Sequence, residues 1–302
     1  MQARFGPAGN SAAFYDAGFK ATLQAPGWLE GLGLTAYEYQ CGRGVRVSET
    51  MAEALNRKAS EHGVEISLHA PYYISLASAE PEKRENSIRY IHDSALAVSR
   101  MGGNRIVVHP GGLGGLDRNA ATTLAMETLA CAQRTLDDAG LGQVHICPET
   151  MGKINQLGDL DEVLRMCTVD ERFLPCVDFG HLNSRMHGGM NSREAFAGAL
   201  DRIADCLGNE RAARFHIHFS RIEYSAGGEK RHWTLADTEF GPDPLPLMEL
   251  LAQRGLTPVV ICESSGTQAE DAAEMMRLYK QFRETGVSDD AISIVGKGRS
   301  EE

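Results

Sequence analysis

Along this chain, short runs rich in apolar and β-branched residues are each followed by a Gly/Pro/Ser loop and, in most cases, by a segment of helical periodicity. The runs fall at 4–9, 35–40, 65–70, 105–110, 144–149, 174–179, 214–219 and 258–263. Alternation of this kind predicts a parallel sheet, because parallel neighbours need a crossover long enough to hold a helix. Eight such units in 302 residues suit a single closed (β/α)8 TIM barrel of the α/β class, which takes ~250 residues before loop insertions. A doubly wound open sheet is the alternative, but no Gly-rich phosphate fingerprint follows the first run. The expected organisation is one catalytic barrel over residues 1–286 and a C-terminal tail over 287–302.

Helix signals fill the gaps. Thr50-Met51-Ala52-Glu53 reads as a capping box, with Met51, Leu55 and Ala59 as the apolar stripe and Gly63 as the stop. Ile88, Ile91, Ala95 and Val98 form a second stripe, ended by Gly102 and Gly103. Asp159 with Glu162 repeats the cap, and Phe196, Leu200, Ile203 and Leu207 repeat the stripe, as do Met275, Tyr279 and Phe282.

No apolar run approaches the ~20 residues of a membrane span, and the first residues carry no signal-peptide stretch. Seven scattered cysteines without a Cys-x-x-Cys pair point to a reducing, cytoplasmic compartment. A net charge of −11 argues against a chain coated in positive charge, yet leaves room for a local basic rim or metal ions to hold an anionic partner.

The runs end in an informative way. His69, His109, Glu149, Asp178, His216 and Glu263 stand at or near the carboxyl ends of six runs, and in a barrel these ends converge on one face. Asp, Glu and His make up 51 of 302 residues, so a single hit means little, but six at the same edge form a pattern. Imidazoles and carboxylates crowded together call for a cation, and a set without Cys points to Zn²⁺, with Mn²⁺ as the alternative. His181 follows Asp178 by three residues, and His232 lies in the loop after the seventh run. His218 shares a strand face with His216 and competes with it. His62, His92, His145 and His187 read as structural.

The stretches Ser67-Leu68-His69-Ala70-Pro71-Tyr72, Val107-Val108-His109-Pro110-Gly111, Pro148-Glu149-Thr150-Met151-Gly152, Cys176-Val177-Asp178-Phe179-Gly180-His181 and Cys262-Glu263 resemble endonuclease IV, the zinc-dependent apurinic/apyrimidinic endonuclease of the xylose-isomerase-like barrels. The resemblance runs from about residue 65 to 265. It implies a cluster of two or three zinc ions. His69, His109 and Glu149 would hold the first, with Glu149 bridging to a second held by Asp178, His216 and Glu263. His181 and His232 would hold the third. By family position His216 is preferred to His218. The family places an Asp two residues before the loop His, where this chain has Lys230, and Glu229 is the nearest carboxylate. Glu149 would also orient the attacking water.

The same resemblance implies damaged double-stranded DNA as partner, a monomer, and Tyr72 against the DNA near the lesion. Arg43, Arg46, Lys153, Arg185, Arg221 and Arg231 fall in loops on the active face and are candidates for a phosphate-binding rim. The family's amide- and Arg-bearing loop after the second strand is not recognisable in residues 40–46, nor is its His-containing opening in the first strand. The expected activity is hydrolysis of the phosphodiester 5′ to an abasic site. The alternative is a single-metal sugar isomerase or epimerase using Glu149, Asp178, His216 and Glu263, which leaves His69, His109, His181 and His232 without a task. A degenerate barrel that binds metal or damaged DNA without turnover ranks last, because the key carboxylates are present.

Overall fold

The computed structural model describes residues 2–295, with side chains described for residues 2–284. Among the described residues ten strands are present: β1 (Arg4–Pro7), β2 (Ala36–Gln40), β3 (Glu65–His69), β4 (Arg105–Val108), β5 (His145–Pro148), β6 (Cys176–Asp178), β7 (His216–Phe219), β8 (Arg221–Ser225), β9 (Gly228–Trp233) and β10 (Val259–Cys262). Two four-stranded parallel arrays, β1-β10-β7-β6 and β2-β3-β4-β5, form the two halves of a ring. Single parallel bridges join them, Ala8 to Glu38 on one side and Glu149 to Cys176 on the other. Backbone bonds reinforce both seams: Thr35 N–H donates to Phe5 O at 3.0 Å and Thr150 N–H to Cys176 O at 3.0 Å. The eight predicted strands thus make a closed barrel, and β8 and β9 form an added antiparallel hairpin outside it. Sequence periodicity alone presents this hairpin as a loop.

At the first seam the strands approach so closely that a Cβ on Gly6 would lie 1.7 Å from Ala36 O. Only glycine fits there.

Side-chain alternation sorts the strand residues. The main core lies between the strands and the surrounding helices. Inside the ring sit two small apolar clusters, one of Val107, Cys147, Leu174 and Cys176, the other of Ala36, Val259 and Ile261. Two residues further along the same strands, on the same inward face, come His109, Glu149, Asp178 and Glu263. The apolar plug therefore forms the floor beneath a polar layer at the carboxyl ends.

The helices follow the sequence signals with one shift. The helix Glu49–Glu61 is capped by Ser48, whose Oγ accepts from Met51 N–H at 3.2 Å, rather than by Thr50. Its buried face is Ala52, Leu55 and Ala59, leaving Met51 half-buried, because packing against the barrel sets the phase of the helix. The Asp159–Glu162 capping box forms as expected at the start of Leu160–Cys167. Ile91, Ala95 and Val98 are buried on Pro81–Arg100, and Phe196, Leu200, Ile203 and Leu207 on Arg193–Leu207. The expected domain end at residue 286 falls within the helix Gln268–Val295, and residues 296–302 of the expected tail lie outside the described residues. Among the described residues no helix is long and apolar enough to cross a membrane.

Candidate metal centre

Glu149 sits at the middle of the polar layer, fully buried. Its Oε2 lies 3.0 Å from His109 Nε2 and 3.4 Å from His69 Nε2, and these two imidazole nitrogens are 3.2 Å apart. Its Oε1 faces the other way, 3.3 Å from both His181 Nδ1 and His218 Nδ1. One carboxylate thereby touches two groups of side chains with separate oxygens. His69, His109 and Glu149 form the first group, and Glu149, Asp178, His218 and Glu263 the second, each with ligand atoms within 4.8 Å of one another.

A third group comprises His181, Glu229 and His232. His181 is placed by the helix Phe179–Arg185, whose cap is Asp178: Asp178 Oδ1 accepts from His181 N–H at 2.7 Å. The imidazole donates from Nδ1 to Thr150 O at 2.9 Å, which turns Nε2 toward Glu229 Oε2 at 3.4 Å. His232 Nδ1 pairs with Ser220 Oγ at 2.8 Å and Nε2 lies 3.9 Å from Glu229 Oε1.

Residues three apart on a regular strand face opposite sides. Here the hairpin register slips: Glu223 pairs with Arg231 and Tyr224 with Glu229, so Lys230 is the extra residue of a β-bulge. Lys230 and Arg231 both reach out to Glu223, and Glu229 and His232 are left facing the barrel together. Glu229 turns its carboxylate toward His181 and His232, while Lys230 points away to Glu223.

On β7 the expected His216 falls in a lower group with Cys176 and His218, and it is His218 that stands beside the carboxylates. His218, one strand layer higher than His216, reaches Glu149 and Glu263, the latter at 3.5 Å from Nδ1. His216 lies lower and pairs through Nε2 with Glu38 Oε2 at 3.1 Å. Both histidines point inward, and the ~6–7 Å rise over two strand residues decides which one meets the carboxylates. Glu38 is a buried residue that sequence reasoning misses. Its Oε1 lies 3.0 Å from His218 Nε2 and its Oε2 accepts from Ser67 Oγ at 3.0 Å. The available signal was an acid inside the strand Ala36–Gln40, at a position where alternation turns the side chain into the barrel.

Charge in this layer is finely set. Burial drives the Glu149 carboxyl up, but the His109 and His218 imidazoles outweigh it and hold it well below the usual range. Burial pushes Asp178 up to about 6, with Glu263 and Glu149 adding to the rise against the pull of His181. Glu263 is held down at about 2, because His218 overcomes the effect of burial. These carboxylates demand positive charge beside them. Glu149 Oε2 and Asp178 Oδ2 are buried without a hydrogen-bond partner. Buried orphans are costly unless a cation takes their lone pairs. His69 Nδ1 donates to Ala70 O at 2.9 Å and His181 Nδ1 to Thr150 O, tautomers that free each Nε2 as a lone pair. Oxygen and imidazole donors without thiolate suit Zn²⁺ or Mn²⁺.

Around the rim, Tyr72 is 57% exposed and its ring stands 5.2 Å from each of the His69 and His109 rings. It lies across Gly42, where a Cβ would come within 2.4 Å of Tyr72 Cε2. Burial of its inner edge and the charge of Glu263 push the phenol up to about 12, so it stays neutral. Arg43 and Arg46 are exposed in the loop after β2. Other arginines expected on a phosphate rim are engaged elsewhere. Arg185 donates to the carbonyls of Met151, Lys153, Ile154 and Gln156, Arg221 to Phe240 O, and Arg231 pairs with Glu223 and lies over the Trp233 ring.

The sequence profile of the xylose isomerase-like TIM barrels matches residues 27–281. The chain belongs to the xylose isomerase-like TIM-barrel family. It is 37% identical, over 258 residues and 90% of the relative's length, to an uncharacterized protein of Methanocaldococcus jannaschii, a match covering 84% of this chain. It is 28% identical over 206 residues to a probable endonuclease 4 of Acholeplasma laidlawii, covering 65% of this chain and 68% of the relative. Among solved structures, endonuclease IV from Thermus thermophilus superposes with a TM-score of 0.62 at 22% identity, covering 88% of this chain and 96% of that one. A D-tagatose 3-epimerase-like protein superposes at 0.65 and 19%, covering 85% and 91%. At these identities the two structures speak for the xylose isomerase-like fold alone.

Proposed function

We propose that this chain is a zinc-dependent phosphodiesterase that cuts double-stranded DNA on the 5′ side of abasic sites. The observation that carries this reading is the third group, His181, Glu229 and His232, built beside two groups that share Glu149. A one-cation isomerase has no use for it, nor for His69 and His109. The likeness to the probable endonuclease 4 of Acholeplasma laidlawii supports the same reading.

The three groups fit two or three divalent cations, which when bound supply a water whose pKa falls from 15.7 toward ~7 and screen phosphate charge. Glu149 touches two of the groups through its separate oxygens and would orient a water held between them. His181, Glu229 and His232 would hold the charge that stabilises the departing 3′-oxygen. The neutral Tyr72 ring offers a stacking face at the rim, and Arg43 and Arg46 give the acidic chain local positive charge for DNA phosphates. Selectivity follows from extruding a nucleotide that has no base to unstack.

A second reading, proton transfer on a sugar by a single cation, draws on the self-contained set Glu149, Asp178, His218 and Glu263. Elemental analysis and an activity assay separate the two. Two to three zinc ions per chain, with nicking of an abasic duplex that stops on chelation, is the expected result. One manganese or magnesium ion with ketose epimerisation and no nicking would overturn it.

A further inference from the structure

Below the metal centre lies a buried layer that none of the three ligand groups at the barrel mouth uses. Glu38, Ser67 and His216 are all buried inside the ring, on β2, β3 and β7. Glu38 spends Oε2 on two donors, Ser67 Oγ at 3.0 Å and His216 Nε2 at 3.1 Å. Its Oε1 accepts from Gln40 Nε2 at 3.2 Å and is turned upward to His218 Nε2 at 3.0 Å. That second approach is an ion-pair contact, and His218 Nε2 has no hydrogen-bond partner among the described residues. The other ring nitrogen of His218, Nδ1, faces Glu149 Oε1 and Glu263 Oε2. An imidazole has two nitrogens, and a carboxylate on one fixes the proton there and leaves the other as a lone pair.

We propose that Glu38 is a positioning residue for the centre: it holds the proton of His218 on Nε2 and so presents Nδ1 as the ligand to a cation shared with Glu149, Asp178 and Glu263. This rests on the metal-centre reading above. Ser67 and His216 occupy the far oxygen of Glu38, so that Oε1, with Gln40 beside it, is the oxygen turned toward His218. The choice between the two histidines of β7 follows: His216 and His218 both address Glu38, one from the side as a support and one from above as the ligand. Because the carboxylate lies on β2 and the imidazole on β7, across the barrel interior, the arrangement ties opposite walls of the ring beneath the cation.

The test is zinc binding by the full chain, measured by competition with a chromogenic chelator, on wild type, Glu38→Gln and Glu38→Ala. Losing the carboxylate that orients a ligating imidazole weakens metal affinity about 10- to 100-fold. We expect that loss for one class of ion in both variants, with the remaining ions held as in wild type. In the Co²⁺-loaded protein, the visible band of that site shifts in Glu38→Ala. Far-UV circular dichroism of the metal-free variants monitors folding, and Glu38→Gln, which keeps size and one acceptor, is the variant to read if Glu38→Ala unfolds. Affinity and Co²⁺ spectrum unchanged in both variants would overturn the role of Glu38 and leave the metal centre standing. A wild-type chain that takes up no zinc or Co²⁺ would overturn the metal-centre reading itself.

Discussion

Glu229 and His232, three residues apart on one strand, face the same side because Lys230 is bulged outward to Glu223 between them. Their shared facing toward His181 is a property of the bulge and not of the spacing.

Charge at position 229 therefore matters and charge at 230 does not. Glu229→Gln is expected to lower the metal content by about one ion per chain, while Lys230→Ala changes neither metal content nor stability by more than about 0.5 kcal/mol. Elemental analysis with thermal melting checks both.

The two histidines of β7 separate in the same way. His218→Ala should remove metal, since it takes the imidazole from Glu149 and Glu263. His216→Ala should retain most of it but cost about 1–3 kcal/mol of stability, because Glu38 then loses a buried partner. Burial holds the His216 imidazole at about 4, so at neutral pH it is a neutral donor rather than a charge. Equal metal loss in both variants would contradict this division.

Arg185 and Arg43 should behave oppositely in DNA binding. Arg185 spends its guanidinium on the carbonyls of the loop after β5, so Arg185→Ala costs stability and leaves the salt dependence of binding to abasic duplex unchanged. Arg43→Ala and Arg46→Ala should each lower the slope of log K against log salt by about 0.9. Binding titrations at several salt concentrations read the difference.

Glu162 gives a stability prediction with a definite pH sign. It accepts from Arg118 Nε at 2.7 Å and from the N–H groups of Gly158 and Asp159 at 2.8 and 2.9 Å. Burial opposes ionisation, but Arg118 and these backbone donors hold the carboxyl below its ordinary value. A depressed folded pKa gives stability that is present above the unfolded value and lost as pH falls through the folded one. Glu162→Gln should cost about 1–3 kcal/mol at pH 7, and the gap to wild type should close as pH drops below about 4. Denaturant unfolding at both pH values tests it.

The barrel was legible in the sequence because strand and helix periods alternate without a break, and the residues at the strand ends announced the layer that holds Glu149, Asp178 and Glu263. The choice between His216 and His218 was not legible, since both lie on one strand face and only the height of β7 within the ring separates them. Glu38 escapes notice because, apart from Gln40 two residues on, its partners Ser67, His216 and His218 come from other strands. The hairpin reads as a loop because the apolar alternation of Arg221–Ser225 extends only to Ile222 and Tyr224, while Gly228–Trp233 is polar up to its last residue and its period is broken by the bulge. Arg185 resembles a surface cation until the carbonyls it satisfies come into view.

The hairpin joins the rest of the molecule through the loop after β5: Glu229 N–H donates to Gly152 O at 3.2 Å and Ile154 N–H to Gly227 O at 3.1 Å. Two of the three candidate ligand groups thus grow from the staves of the barrel, while the third takes two of its three members, Glu229 and His232, from an appended ribbon. If the proposed centre holds several ions, trimming that ribbon would strip the third group of two of its ligands and leave every stave in place, so that the number of ions would be separable from the scaffold.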